Sequence, residues 1–136
     1  MFDYAEAEFA HWDGGLPEGT HELLAHRHQF GELSMTIIVH GAGDQKQAAF
    51  ELLARPDWFC VFDDERQQTG LIGAVAKAGL GPGMFEIVNS SLITTLQQSE
   101  PLFIVGDKKV RHWVLLGVES CCHIVASDEP KLRRIY

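Results

Sequence analysis

The chain has 136 residues, of which 46% are hydrophobic. That is enough for one compact domain with a buried core, and it excludes a disordered chain. Acidic residues outnumber basic ones by 19 to 11, and the formal net charge is −8. So few cations argue against the clustered positive charge that binds nucleic acid or an anionic membrane. No apolar run in the sequence approaches the ~20 residues that cross a bilayer.

Three cysteines and the acidic start of the chain bear on the compartment. Cys60, Cys121 and Cys122 are odd in number and two are adjacent, which does not suit a disulfide framework. Residues 1–8 hold no Lys or Arg, unlike the start of a secretory leader. We therefore expect a cytoplasmic protein.

Residues 1–34 are predicted to form an N-terminal extension that contains one helix. Thr20 is a suitable N-cap, and Leu23, Leu24 and His28 follow it at positions that suit the turns of a helix. We expect this extension to pack against the rest of the domain.

Residues 35–83 are predicted to form a β-α-β-β-α unit. The first strand is rich in β-branched residues, and Ala48, Leu52 and Leu53 lie at helical spacing after it. The expected elements are a strand at 36–40, a helix at 45–54, strands at 58–62 and 69–72, and a helix at 73–80.

Residues 84–126 are predicted to repeat the same order of elements. Asn89 or Ser90 caps a helix that runs to residue 98, and Ile124 and Val125 leave a strand as the alternative for the last segment. The expected elements are a strand at 84–88, this helix, strands at 102–105 and 110–116, a helix at 117–126, and a charged tail at 127–136.

The two halves also match each other along the sequence without a gap. Two copies of one supersecondary unit can bury a shared face that a single copy cannot. We therefore predict an α+β (α/β) fold of two β-α-β-β-α repeats related by a pseudo-twofold axis, with the helical extension packed on them. The matched positions include Phe59, Val61 and Asp63 with Phe103, Val105 and Asp107, and Leu71, Ile72 and Gly73 with Leu115, Leu116 and Gly117.

The passages 59–80 and 101–120 resemble the strand–turn–strand–helix core of the CBS domain family. In each passage a hydrophobic strand leads into a turn with an Asp, a second strand and a helix. The resemblance covers residues 33–126 and implies a tandem CBS pair. Such pairs often bind adenine nucleotides (ATP, ADP or AMP) between their copies, often dimerise, and commonly regulate an attached enzyme or channel.

The resemblance also implies a ligand site where each copy enters its second helix. Nucleotide-binding members hold a glycine, a hydroxyl residue for phosphate and an aspartate for ribose there. Ala76 and Ser120 stand at the aspartate positions, so any nucleotide is expected to bind weakly. Gly73 and Gly117 are each expected to open a helix, where backbone N–H groups favour an anion. Tight strand–helix packing without a ligand is the alternative. The candidate ligand-binding residues are Gly70, Gly73, Ala76, Lys77, Gly117 and Ser120.

Three other clusters are expected to carry no chemistry. His21, His26 and His28 lack the i,i+4 spacing of helical metal pairs, so we predict no metal site. The Cys-Cys-His segment 121–123 places neighbouring side chains about 100° apart on a helix, which suits no nucleophile–base pair. The acidic run 63–65 is expected to be a solvated turn. Redox sensing by the cysteines and pH sensitivity of the histidines stay open.

Together these observations predict a non-catalytic regulatory module. We expect a homodimer that binds a small anionic ligand, such as an adenine nucleotide, or a protein target. One alternative is an assembly protein whose clefts are filled by its own side chains. A second is a small metal- or thiol-dependent enzyme.

Overall fold

The computed structural model describes residues 4, 6–41, 47–62, 65–81, 83–99 and 109–135. Strands predominate, and the two helices of the described residues both follow β5. The elements are β1 (Phe9–His11), β2 (Thr20–Gln29), β3 (Glu32–His40), β4 (Ala48–Ala54), β5 (Trp58–Phe62), α1 (Glu65–Lys77), β6 (Met84–Ile87), α2 (Ser91–Ser99), β7 (Arg111–Leu116), β8 (Cys121–Ala126) and β9 (Lys131–Arg134).

The strands form two sheets in which neighbouring strands are antiparallel. The inner sheet has the strand order β1-β6-β7-β8-β5, and the outer sheet has the order β2-β3-β4-β9. The outer sheet begins with a hairpin whose two-residue loop is Phe30-Gly31, with Gln29 paired to Glu32. A register shift between Leu23 and Ala25 marks a bulge in β2, which bends that edge strand.

The main core lies between the two sheets. Met35 and Ile37 of the outer sheet and Trp113 and Ile124 of the inner sheet belong to one buried cluster. Burial alternates along β3, as expected for a strand with one face in the core and one toward solvent. The two sheets therefore pack face to face as a sandwich.

The opposite face of the inner sheet is covered by helix α1. Leu71 and Val75 of α1 join a second buried cluster with Phe85, Val114 and Leu116 of the sheet. As a result, β7 and β8 are buried on both faces, and nearly every residue in them is buried. The molecule has three layers: helices, inner sheet and outer sheet.

Several sequence predictions of single elements are confirmed. Strands occur within the predicted segments 36–40, 58–62, 84–88 and 110–116. Helix α2 follows Ser90, whose Oγ accepts a hydrogen bond from the N–H of Ile93 at 3.2 Å, as an N-cap does.

The predicted fold class is wrong. The protein is mostly β, with two antiparallel sheets, rather than two β-α-β-β-α repeats with a helical extension. The stretch 35–83 contributes strands to both sheets, whereas the described strands of 84–126, which are β6, β7 and β8, lie in the inner sheet. The two stretches therefore have unrelated topologies, and the pseudo-twofold arrangement is also wrong.

Four local predictions failed for physical reasons. The predicted helix at 45–54 is strand β4, because Phe50, Leu52 and Ala54 alternate into the core and pair with β3. The predicted strand at 69–72 lies inside α1, since Leu71 and Val75 are one helical turn apart and both face the sheet.

The predicted helix of the extension is strand β2, which pairs with β3 from Thr20 to Gln29. The helix predicted at 117–126 is also wrong, because the segment is a turn followed by β8, and the strand alternative is right. The strand predicted at 102–105 lies outside the described residues. Neither described helix is long and apolar enough to cross a membrane.

Candidate functional site

An apolar cavity opens beside α1, where the helix, the start of β2 and the β7–β8 connection meet. We call it the α1 cavity; its volume is about 290 Å³. Ile72 and Val118 at this cavity are 48% and 52% exposed. Concave apolar surfaces with exposed apolar residues are where proteins bind small molecules. Its lining includes Ile72, Val75, Ala76, Leu116, Gly117 and Val118.

Close approach of two backbones forms one wall of the α1 cavity. The N–H of Val118 donates to the carbonyl oxygen of His21 at 2.8 Å, and the N–H of Gly117 donates to that of Ser120 at 2.9 Å. A Cβ at Gly117 would lie 2.7 Å from the Ser120 oxygen and 3.3 Å from the His21 oxygen. Only glycine fits there, so this wall joins the inner sheet to the outer one through main-chain contacts.

His21 lies in this wall and contains an unsatisfied polar atom. The ring is 1% exposed, and its Nε2 lies 2.7 Å from the carbonyl oxygen of Pro17. Because a carbonyl only accepts, Nε2 carries the proton. Burial lowers the pKa of His21, so the ring is neutral at pH 7 and Nδ1 is an acceptor. Nδ1 is sealed from solvent and has no hydrogen-bond partner among the residues that the structure describes.

The sequence-predicted ligand residues are divided by the fold. Ala76 and Gly117 are brought together in the α1 cavity, although no nucleotide motif joins them. Gly73 lies inside α1 and Gly117 lies in a turn, so neither opens a helix as predicted. Gly70 faces the ring of Tyr4, since a Cβ there would lie 3.5 Å from it. The other two, Lys77 at the end of α1 and the buried Ser120 before β8, are not among the residues that line the cavity.

A second cavity lies at the start of α2 and contains a chain of polar side chains. We call it the Ser90 cavity; its volume is about 150 Å³, and Tyr4, Ser90 and His112 line it. Ser90 Oγ lies 2.7 Å from His112 Nδ1, and His112 Nε2 lies 2.8 Å from His123 Nδ1. His123 Nε2 lies 2.9 Å from the hydroxyl of Tyr4. All four ring nitrogens of the two histidines are therefore hydrogen-bonded.

Burial keeps the members of this chain uncharged. It lowers the pKa of His112 to about 4. Burial, with a further contribution from His112, lowers that of His123 to about 3. Burial raises the pKa of Tyr4 far above its usual range. At neutral pH the chain consists of two neutral imidazoles between a serine and a phenol.

The other clusters in the sequence show no such arrangement. Among the described residues, no group of three His, Cys, Asp or Glu side chains is placed to hold a metal ion. His28 contacts the ring of Phe59 edge-on, with centroids 4.9 Å apart. Cys121 and Cys122 are buried, and burial raises the pKa of the Cys122 thiol, which disfavours the thiolate that redox or nucleophilic chemistry requires.

The sequence did not predict the hydrogen-bonded side chains that connect Ser90 to Tyr4 through His112 and His123. Ser90 was considered only as a helix cap and His123 only as a neighbour of the cysteines. One residue could have indicated this cluster: His112 is polar and directly precedes the apolar run 113–116. A histidine on a buried strand requires hydrogen-bond partners, so other polar side chains were to be expected beside it.

Comparisons with protein-family models, with curated proteins and with solved structures find no match to this chain. The CBS resemblance therefore stays a prediction without support from relatives, while the fold that it implied is wrong.

Proposed function

We propose that the protein is a binding module that takes up a small, largely apolar ligand in the α1 cavity. The observation that carries the proposal is the cavity itself, an apolar concavity with exposed Ile72 and Val118 beside it. Neither Lys nor Arg is among its described lining residues, so a neutral ligand suits it better than the small anion expected from the sequence.

His21 supports a ligand with one hydrogen-bond donor. An unpaired buried acceptor costs about 1–3 kcal/mol, and a ligand N–H or O–H recovers part of that when the wall shifts to admit it. The cavity also touches elements of both sheets, since Thr20 begins β2 of the outer sheet and Leu116 ends β7 of the inner one. A ligand that binds one position of α1 against the two sheets better than another would shift the protein toward that position. A sensing module responds to its ligand in this way.

The test uses 1-naphthol and naphthalene, which differ by one donor. Saturable binding of 1-naphthol, followed by calorimetry and ligand-detected NMR, is expected for the wild type, with naphthalene weaker. Ala76→Leu places a larger side chain in the cavity and is expected to weaken binding by about tenfold or more. Ala78→Leu is the matched control, because Ala78 is exposed and is not among the lining residues.

Two outcomes decide against the proposal. One is the absence of saturable binding of either probe to folded wild type. The other is equal affinity of the Ala76→Leu variant and the wild type. The homodimer, the protein target and the cytoplasmic location expected from the sequence stay predictions.

A further inference from the structure

The Ser90 cavity has the parts of an acyl-transfer site, which is a different activity from ligand binding in the α1 cavity. It brings together a hydroxyl, an imidazole bonded to it, a second group that is bonded to that imidazole, and a cavity that Ser90 and His112 both line. These are the features that define a nucleophile and its base in an uncharacterised site.

We propose that Ser90 is a nucleophile and His112 its general base, in a site that hydrolyses small uncharged esters. Ser90 Oγ attacks the ester carbonyl carbon, and its proton passes to His112 Nδ1. The bond to the alcohol oxygen then breaks, and His112 returns the proton to that oxygen. Water next attacks the acyl-serine in the same way and releases the acid, so ester and water become acid and alcohol.

The hydrogen bonds of Ser90 suit this role. The N–H of Ile93 donates to Ser90 Oγ at 3.2 Å, so the hydroxyl proton is available for His112 Nδ1. In that arrangement His112 Nε2–H donates to His123 Nδ1, and His123 Nε2–H donates to Tyr4. Each of these hydrogen bonds then has one proton, so every ring nitrogen of His112 and His123 acts either as a donor or as an acceptor. His123 is then a positioning residue that fixes the tautomer and the orientation of His112.

The start of α2 supplies donors for the developing oxyanion. The first N–H groups of a helix have no intrahelical partner, and Ser91 and Leu92 both line the cavity. Backbone donors of this kind stabilise the tetrahedral intermediate of acyl transfer. The cavity of about 150 Å³ admits a short acyl group, and the carboxylate of Glu6 at its lining disfavours anionic esters.

The test is covalent labelling by a fluorophosphonate probe, located by peptide mass spectrometry, with the burst of p-nitrophenol from p-nitrophenyl acetate as a second readout. Wild type is expected to carry one label, on Ser90. Ser90→Asn keeps an acceptor that caps α2 but removes the nucleophile, so labelling and burst should fall at least about 100-fold while the melting temperature holds. Ser127→Ala is the matched control and should label as wild type does.

The role of His123 is tested by a pair of variants. His123→Asn keeps an acceptor the same number of bonds from Cα as Nδ1, whereas His123→Leu removes it. Labelling that survives in the Asn variant and is lost in a folded Leu variant supports positioning of His112. The proposal is overturned if folded wild type takes no label, if the label lies elsewhere, or if Ser90→Asn labels equally well.

Discussion

Phe30 combines an unfavourable backbone conformation with an apolar side chain that is exposed to solvent. It lies at the tip of the β2–β3 hairpin with φ of 54°, followed by Gly31 with φ of 76°. Positive φ at both central residues is the type I′ turn, which favours Asn-Gly. The phenyl ring is 93% exposed, so no burial offsets the cost of about 1–2 kcal/mol that left-handed backbone imposes on such a residue.

We predict that Phe30→Asn raises the free energy of unfolding by about 1 kcal/mol. Urea denaturation at pH 7 measures the change. Phe30→Ala is the control, since alanine keeps the backbone penalty and removes the exposed ring. An equal gain from both variants would show that the ring, and not the backbone, is the source.

Among single residues, the sequence predicted those whose role is local. Ser90 was one of two residues predicted to cap α2, and its role could be predicted because it depends only on the next three residues. The partner of His123 could not be predicted, because Tyr4 lies 119 positions away in the chain.

At the scale of elements, α1 departs most from the sequence prediction. It runs through residues that the repeat assigned to a turn and a strand. Gly73 is exposed within it, and a Cβ there meets nothing within 4 Å. Glycine inside a helix costs roughly 0.5–1 kcal/mol relative to alanine.

Gly73→Ala is therefore expected to stabilise the protein by about 0.5–1 kcal/mol in urea denaturation. Gly117→Ala is the contrasting variant and should destabilise it, because its Cβ would lie 2.7 Å from the backbone oxygen of Ser120. A loss of stability in Gly73→Ala would contradict the placement of an exposed Gly73 in the interior of α1.

Short strands that lie next to a sequence break were predicted correctly. A strand whose hydrophobic residues also fit helical spacing was not. β5 is a short apolar run and β6 is a four-residue segment that follows a Gly-Pro-Gly break, so neither has room for a helix of useful length. In β4, Ala48, Leu52 and Leu53 satisfy helical spacing as well as Phe50, Leu52 and Ala54 satisfy alternation. Pairing with β3 and β9 decides between the two patterns, and pairing is invisible in a local window.

For the whole molecule, His112 and His123, two of the three buried histidines among the described residues, make stability depend on pH. Their pKa values are lowered by burial to about 4 for His112 and about 3 for His123, from an ordinary value of 6.5. Below pH 6.5 the unfolded chain binds protons that the folded protein excludes. Stability is therefore full above pH 6.5 and falls as the pH drops toward 4.

We expect each histidine to remove about 2–3 kcal/mol of unfolding free energy between pH 7 and 4.5. Urea denaturation across this range measures the fall. The double variant His112→Gln, His123→Gln should be less stable at pH 7 yet lose much less on acidification. An unchanged pH slope in that variant would assign the acid sensitivity to other groups.

The arrangement of the layers could not be predicted from the sequence. Contacts such as that between Trp12 Nε1 and the carboxylate of Glu129, at 2.7 Å, join opposite ends of the chain. The apparent repeat was misleading, because the hydrophobic pattern of a short buried strand and its turn recurs in unrelated topologies.

Adjacent positions on β8 point into different layers, and this makes its two cysteines natural reporters of separate motions. Cys121 packs in the cluster beneath α1, and Cys122 packs between the sheets. An alkylating reagent reaches the first thiol when the helix lifts away, and the second only when the sandwich comes apart. The time course of modification at each sulfur would thus give separate rates for peripheral loosening and for global opening in one native sample.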